Sequence, residues 1–235
     1  MSKYPFTKQG FKKRISTLMK ARNKVAASDI SKLHIKLQPG NSKTGRTCYT
    51  VSLLPTIDCG NNCHICQYNC YDLKADMRFK DAIADRSKNS VIHEKDPKRY
   101  WDEISTQIKA NYVELLRLNV GGDLTDDDFM YVAKLGRQNK RTDILFFTKN
   151  YEGINNYLEH HRFPANVHPI MSCWQGLKME NPYHLPESHL LYDDGRTTAP
   201  EYGAYFCGGN CTECHFNEEG CWSLKKNEHV IFHAH

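Results

Sequence analysis

Cysteine is the residue that most constrains what this 235-residue chain folds into, because eight of its ten cysteines lie in two short segments. The first cysteine segment holds Cys59, Cys63, Cys66 and Cys70, and the second cysteine segment holds Cys207, Cys211, Cys214 and Cys221. Such short gaps allow one loop to wrap a metal cluster and present several thiolates to different iron atoms. We therefore expect one or two [4Fe-4S] clusters.

Zinc is the main alternative, because thiolates bind zinc as well as iron–sulfur clusters. Structural zinc sites usually pair two-residue gaps, and neither segment contains two such pairs. Zinc stays open at the second segment, whose last gap is longer. We expect the two remaining cysteines, Cys48 and Cys173, to be small core residues because both lie in apolar strand candidates.

The basic N-terminus lacks an apolar signal region, and no apolar run of about 18 residues occurs. We therefore expect a cytoplasmic protein without a membrane partner, in which disulfides are disfavoured. Residues 1–36 hold ten Lys/Arg and only one acidic residue, Asp29. This basic N-terminal extension predicts either contact with nucleic acid or a solvated helix face.

Apolar periodicity predicts alternating strands and helices, which is typical of a parallel sheet. The predicted strands are residues 48–54, 113–120, 143–148, 167–174 and 203–207. The predicted helices are residues 7–26, 71–90, 97–111, 126–138 and 151–160. Residues 176–200 are expected to form a loop or a long excursion. The ending HVIFHAH is expected to be a frayed or packed terminus, and metal binding by its histidines is the alternative. We expect an α/β fold, a partial (open) parallel β/α barrel over residues 37–200, followed by a cysteine-rich C-terminal segment at 201–235.

Two polar residues at predicted strand ends are candidate ligand contacts. Lys149 follows one strand and Ser172 ends the next, so both are expected at the mouth of the barrel. A lysine there suits a carboxylate or a phosphate, and the alternatives are a solvated loop lysine and a packed serine.

The order Cys59-x3-Cys63-x2-Cys66 after a first strand resembles the radical SAM superfamily. In that superfamily three cysteines hold a [4Fe-4S] cluster, whose fourth iron binds S-adenosylmethionine. A Gly-Gly-Glu motif at the end of the second strand contacts the methionine amino group. The resemblance implies the same role for Gly121, Gly122 and Asp123, with aspartate in place of glutamate, and a radical-SAM-like barrel.

A closer resemblance is to the phage gene product 88 family, whose members are largely of unknown function. It is carried by LLPTIDC, CYDLKA, the strand leading to Gly-Gly-Asp, FFTKNY and the ending CGGNCTEC…GCW, in order over residues 33–222. The pattern of this family maps onto Cys59, Cys66 and Cys70, whereas the radical SAM pattern selects Cys63 in place of Cys70. Which of these two cysteines is a ligand stays open.

The leading functional hypothesis is a radical-SAM-like redox enzyme with an auxiliary second cluster, an electron donor and a small-molecule substrate. The alternatives are a non-enzymatic iron–sulfur or zinc protein that binds nucleic acid or a host protein, and an electron carrier.

Overall fold

A computed structural model describes residues 6–42, 44–60, 66–75, 80–200 and 204–233. The strands are β1 (Cys48–Val51), β2 (Leu115–Leu118), β3 (Asp143–Thr148), β4 (Val167–Ser172), β5 (Glu187–Leu191), β6 (Ala204–Phe206) and β7 (His229–His233). The α-helices are α1 (Lys8–Ala26), α2 (Tyr71–Ala75), α3 (Lys80–Lys95), α4 (Pro97–Ala110), α5 (Asp128–Gln138), α6 (Tyr151–His160) and α7 (Cys211–Phe216). Short 3-10 helices cover Ile30–Lys32, Gln67–Asn69 and Gly220–Trp222.

The strands form one seven-stranded sheet in the order β1-β2-β3-β4-β5-β7-β6, and every neighbouring pair is parallel. Strands β1 to β5 follow chain order, so right-handed crossovers would place the connecting helices on one face. The predicted α/β class and parallel pairing are confirmed. In the described residues the sheet is open, with β1 and β6 at its edges, and closure into a radical-SAM-like barrel remains a prediction.

The two faces of the sheet have different coverings, because successive side chains of a strand point to opposite sides. On the helix face, Leu116 and Phe146 pack in one buried core with Ile104 of α4, Phe129 of α5 and Ile154 of α6. On the opposite face, here called the cysteine face, the second cysteine segment provides the cover. Buried residues of this second core are Cys48, Leu115, Leu145, Ile170, Cys214 and Trp222.

Strand β5 corrects the sequence-based expectation, because it lies inside the stretch 176–200 that was expected to be a loop. Strand β7 shows that the end of the chain, expected to fray or to pack, is packed in the sheet over His229–His233. Strand β7 pairs with β5 on one side and with β6 on the other, so it is an interior strand. Both strands are short and flanked by polar residues, so their burial depends on neighbouring strands that local periodicity does not reveal.

Helix α1 packs against α3 and against the first cysteine segment. Leu18 is fully buried in a small core with Leu54 and Leu73, and Cys70 packs against that core. Arg22 anchors the helix through Nε, which donates to the Ser90 hydroxyl at 2.8 Å. Division of the chain after residues 36 and 200 stays a prediction. No helix in the described part of the chain has the length and apolarity that a membrane span needs.

Candidate functional site

The first cysteine segment lies at the carboxyl edge of the sheet. The segment follows β1 in the chain. Because neighbouring parallel strands end at the same edge of the sheet, the segment lies beside the loops that follow β2 and β3. Cys59, Cys66 and Cys70 interact electrostatically with one another, so the fold gathers them. Cys63 lies outside the described residues, and the choice between Cys63 and Cys70 as a ligand therefore stays open.

The environment of these thiols is poor in water. Burial raises the pKa of Cys70 to about 12, although the backbone N–H of Leu73 donates to its sulfur at 3.4 Å. Burial also raises the pKa of Cys66, which the positive charge of Lys149 opposes. Both side chains are therefore neutral thiols at pH 7, and a bound metal would displace their protons.

Asp123 joins the end of β2 to the end of β3. Its Oδ1 accepts hydrogen bonds from the backbone N–H of Leu124 at 2.8 Å and from the Thr148 hydroxyl at 2.7 Å. Its Oδ2 accepts from the backbone N–H of Lys149 at 2.8 Å. Burial raises the pKa of Asp123, and these hydrogen bonds oppose the shift. Oδ2 retains one lone pair for a further donor.

Gly121 and Gly122 allow the residues that flank the first cysteine segment to pack closely on the loop after β2. A Cβ at Gly121 would lie 2.0 Å from Oδ2 of Asp72, which forms a bidentate pair with Arg86 at 2.5 and 3.0 Å. Gly122 has a φ of 81°, and its Cβ would lie 2.6 Å from that of Leu53. Packing accounts for both glycines, and contact with S-adenosylmethionine remains a prediction.

Lys149 and Ser172, the two candidates at strand ends, meet in the structure. Nζ of Lys149 donates to the Ser172 hydroxyl at 3.0 Å and lies 5.7 Å from the ring centre of Trp174. Lys149 also interacts electrostatically with Cys66 and, through its backbone, binds Asp123. One polar network therefore connects the loops after β2, β3 and β4 beside the first cysteine segment.

The second cysteine segment lies across the cysteine face. Its residues are Cys207 after β6, Cys211 and Cys214 on α7, and Cys221 in the 3-10 helix Gly220–Trp222. Helix α7 begins at Cys211 because Oδ1 of Asn210 accepts from the backbone N–H of Thr212 at 3.2 Å. The indole N–H of Trp222 donates to the Cys211 carbonyl at 2.9 Å and folds the 3-10 helix back onto α7.

Arg117 on β2 projects into the second cysteine segment. Its Nη1 lies 4.0 Å from Sγ of Cys211, and its guanidinium lies 5.0 Å from the ring centre of Phe147. Its Nε is buried without a hydrogen-bond partner. Its charge interacts with Tyr71 of the α2 helix and with Cys211 and Cys221, so Arg117 lies between the two cysteine segments.

Cys48 is fully buried, as expected for a core residue, but its thiol faces Cys211. The hydrogen bond from Cys48 and the positive charge of Arg117 hold the pKa of Cys211 below its ordinary value of 9.0. Cys211 is therefore predisposed to be a thiolate, and Cys48 is a fifth thiol beside the second segment.

The distances between candidate ligand atoms can be compared with those that a single zinc ion requires. With zinc–sulfur bonds of about 2.3 Å, tetrahedral zinc brings its sulfur ligands within about 3.8 Å of one another. Among the described residues, only Cys173, Glu187 and His189 form a group of three or more ligand atoms within 4.8 Å. No three sulfur atoms of the second cysteine segment therefore lie within 4.8 Å of one another in the structure.

Sequence reasoning missed Arg117, Glu187 and His189 as functional candidates and assigned Cys173 to the core. Arg117 was overlooked because a single arginine in an apolar strand carries no motif. Glu187 and His189 lie in the stretch expected to be a loop, although two polar residues at a spacing of two are the pattern of one strand face. Cys173 is buried, as expected, but its sulfur lies 3.7 Å from Nε2 of His189.

Comparison with known proteins gives one family. The sequence profile of the family described as Gene product 88 matches residues 9–219, which include the first cysteine segment and all of the second except Cys221. No curated protein and no solved structure matches the chain.

Proposed function

This chain belongs to the phage gene product 88 family, and from that premise we propose that it is an iron–sulfur protein with redox chemistry at the first cysteine segment. The second cysteine segment holds an auxiliary cluster that relays electrons or binds substrate. The expected location is the cytoplasm of the host cell.

The observation that carries the proposal is the environment of Arg117. Arg117 is half-buried and its Nε is shielded from water, so its charge favours a nearby negative partner, yet no carboxylate pairs with it among the described residues. Its neighbours are the thiols of Cys211 and Cys221. A cluster held by thiolates is anionic and would supply the missing charge.

The first cysteine segment is proposed as the reactive site because polar side chains converge beside it. A [4Fe-4S] cluster there would supply single electrons to a bound sulfonium or substrate. Lys149 and Ser172 would orient a carboxylate or a phosphate, and the remaining lone pair of Asp123 would accept from an ammonium group. This constellation suits S-adenosylmethionine, and with it a radical-SAM-like partial barrel, as the finer form of the proposal.

The test is anaerobic purification followed by iron and sulfide analysis and by EPR of the reduced protein, with and without S-adenosylmethionine. The proposal expects iron and acid-labile sulfide in equal amounts and an EPR signal that changes when S-adenosylmethionine is added. Zinc without iron would overturn the iron–sulfur proposal. A signal indifferent to S-adenosylmethionine would remove the radical SAM form and favour an electron carrier.

Two matched variants identify the ligands of the first cluster. Cys63→Ser and Cys70→Ser each remove one thiol from the same segment. The radical SAM mapping expects loss of the first cluster only in Cys63→Ser, and the family mapping expects loss only in Cys70→Ser. Loss in both variants indicates four thiolate ligands, which leaves no open iron for a substrate.

A second candidate function, binding of nucleic acid, rests on the surface of α1. This helix contains no acidic residue, and its exposed lysines are Lys8, Lys12, Lys13, Lys20 and Lys24. At 100° per residue all five fall on one half of the helix circumference. Phosphate contacts by these lysines would make the affinity for DNA or RNA fall steeply with salt.

The test of this second function compares binding of a duplex at several salt concentrations. Replacement of the five lysines by glutamine should flatten the salt dependence, whereas replacement of Lys98 and Lys134 on other helices should not. Equal slopes for both variants would exclude α1 as the nucleic-acid surface.

A further inference from the structure

We propose that Cys173, Glu187 and His189 bind a zinc ion, with His229 as the fourth ligand, at a site separate from both cysteine segments. The strand register brings these residues together. Glu187 and His189 are two residues apart on β5 and therefore point to the same face. Cys173 follows β4 directly, and its backbone N–H donates to the Ser188 carbonyl at 2.9 Å. His229 on β7 pairs in register with Glu187.

The three ligand atoms are spaced as zinc requires. Cys173 Sγ lies 3.7 Å from His189 Nε2 and 3.8 Å from Glu187 Oε2, and those two atoms lie 3.1 Å apart. Tetrahedral zinc with ordinary bond lengths separates such sulfur, nitrogen and oxygen ligands by about 3.4 to 3.6 Å. The three ligand atoms would therefore have to move by only a few tenths of an ångström to bind the ion.

In two of the ligand side chains, the polar atom that would not bind the metal already has a hydrogen-bond partner. Nδ1 of His189 hydrogen-bonds the Thr198 hydroxyl at 2.9 Å, which orients Nε2 towards the site. Oε1 of Glu187 accepts from Nδ2 of Asn181 at 2.9 Å, which leaves Oε2 for the metal. Metal-binding histidines and carboxylates commonly have such partners, because these fix the tautomer and the orientation of the ligand.

An unused nitrogen is the second sign of a ligand. Nδ1 of His229 is buried, has no hydrogen-bond partner and lies 3.6 Å from Oε2 of Glu187. This nitrogen lies outside the group of ligand atoms within 4.8 Å, so the ring of His229 would have to turn towards the ion to close the coordination sphere with four protein ligands, as in structural zinc sites. The thiolate of Cys173 and the carboxylate of Glu187 would balance the two charges of the ion, which makes the site neutral where it is buried.

The role of this site is structural. It would pin β4, β5 and β7 to one another near the point where the stretch 174–186 leaves the sheet. Because β7 is also the partner of β6, the ion would hold the strand that precedes the second cysteine segment.

The test measures metal content in the full chain after anaerobic purification and dialysis against a weak chelator. We expect His189→Gln and Glu187→Gln to contain one equivalent of zinc less than the unaltered chain, with unchanged iron. His168→Gln is the matched control, because His168 lies on β4 outside the site and its Nε2 hydrogen-bonds Oδ1 of Asp143. Equal zinc in His189→Gln and the unaltered chain would overturn the proposal.

Cobalt gives a second readout that does not depend on zinc retention. Cobalt bound here should show a thiolate-to-metal charge-transfer band that disappears in Cys173→Ser and persists in Cys48→Ser. A band unchanged in Cys173→Ser would exclude this sulfur as a ligand. Far-ultraviolet circular dichroism checks that each variant folds, and a folded Cys173→Ser with full metal content also contradicts the site. Because iron content is followed separately, loss of the iron–sulfur clusters would leave this test intact.

Discussion

Arg117 shows how one residue links the two cysteine segments. It lies in an apolar strand, where an arginine is costly to bury without a partner. Its contacts with Cys211 and Phe147 hold it on the cysteine face, and its unsatisfied Nε indicates that the protein chain alone does not complete its surroundings.

Replacement of Arg117 should therefore weaken the proposed second cluster. We expect Arg117→Met to retain iron in the second cluster about 10- to 100-fold less tightly, because the anionic cluster loses its counter-charge. The reduction potential of that cluster should also fall. Iron retention against a chelator and an EPR redox titration measure the two effects, and Arg117→Lys should restore part of both. Unchanged iron and potential in Arg117→Met would contradict the role.

Gly121 is a second constrained position, where helix α2 touches the loop after β2. We expect Gly121→Ala to destabilise the fold by about 3 kcal/mol, because the new methyl group displaces the buried Asp72 carboxylate from Arg86. Thermal or urea unfolding measures this loss. Gly208→Ala is the control, since a Cβ there meets no atom within 4 Å. Equal stability of the two variants would disprove the packing explanation.

Three helices meet at one buried carboxylate. Asp128, the first residue of α5, accepts hydrogen bonds from His93 of α3 at 2.8 Å and from the Trp101 indole of α4 at 3.0 Å. Its Oδ2 also accepts from the backbone N–H of Thr125 at 2.8 Å. The three consecutive aspartates at this point were expected to begin a helix, and Asp128 additionally fastens the helix layer together.

This junction predicts a pH dependence of stability. Burial would lower the pKa of His93, but the hydrogen bond and charge of Asp128 raise it above its ordinary value of 6.5. A raised folded pKa stabilises the fold fully below pH 6.5, and the contribution is lost as pH rises through the folded pKa. Asp128 has a lowered pKa because its hydrogen bonds outweigh burial, so its contribution is lost in acid, as pH falls through that value.

We therefore expect His93→Gln to lose less stability than the unaltered chain as pH rises above 6.5. The free energy of unfolding in urea, measured across this range, tests the expectation. His160→Gln is the matched control, because His160 is exposed at the end of α6 and should leave the pH profile unchanged. Parallel profiles for His93→Gln and the unaltered chain would falsify it.

At the scale of the whole molecule, the two faces of the sheet are covered by different parts of the chain. Helices cover one face and form the larger core, while the second cysteine segment covers the other. The first cysteine segment lies at the carboxyl edge of the sheet and the second on the cysteine face, and Arg117 interacts with the second segment and with Tyr71, the residue that follows the first. Strand β7 completes this arrangement because it connects β5 to the edge strand β6.

Because β7 is an interior strand, substitutions at its buried and exposed positions should differ strongly in their effect on stability. Val230→Asp should abolish the folded state, because it buries an unpaired charge at a cost of several kcal/mol. His233→Asp, at the exposed end of the same strand, should be nearly neutral. Soluble yield and thermal unfolding measure both, and similar behaviour of the two variants would indicate a frayed terminus.

Sequence patterns identified the elements whose signals are local. The helix around residues 97–111 was predictable from its apolar spacing and from Pro97, and Asp96 caps it by accepting from the backbone N–H of Arg99. Strand β3 was predictable from a continuous apolar run between turn residues. Strands β5 and β7 were not, since each gains its burial from a partner far away in the chain.

The sequence by itself determined the α/β class, the parallel pairing and the family, because hydrophobic period and ordered motifs are properties of neighbouring residues. It also singled out the two cysteine segments as candidate ligand sets. Only the tertiary structure placed Arg117 between those segments and brought Cys173, Glu187 and His189 within reach of one ion. The physical reason is that strand register joins side chains distant in the chain, and no local pattern encodes which strands become neighbours.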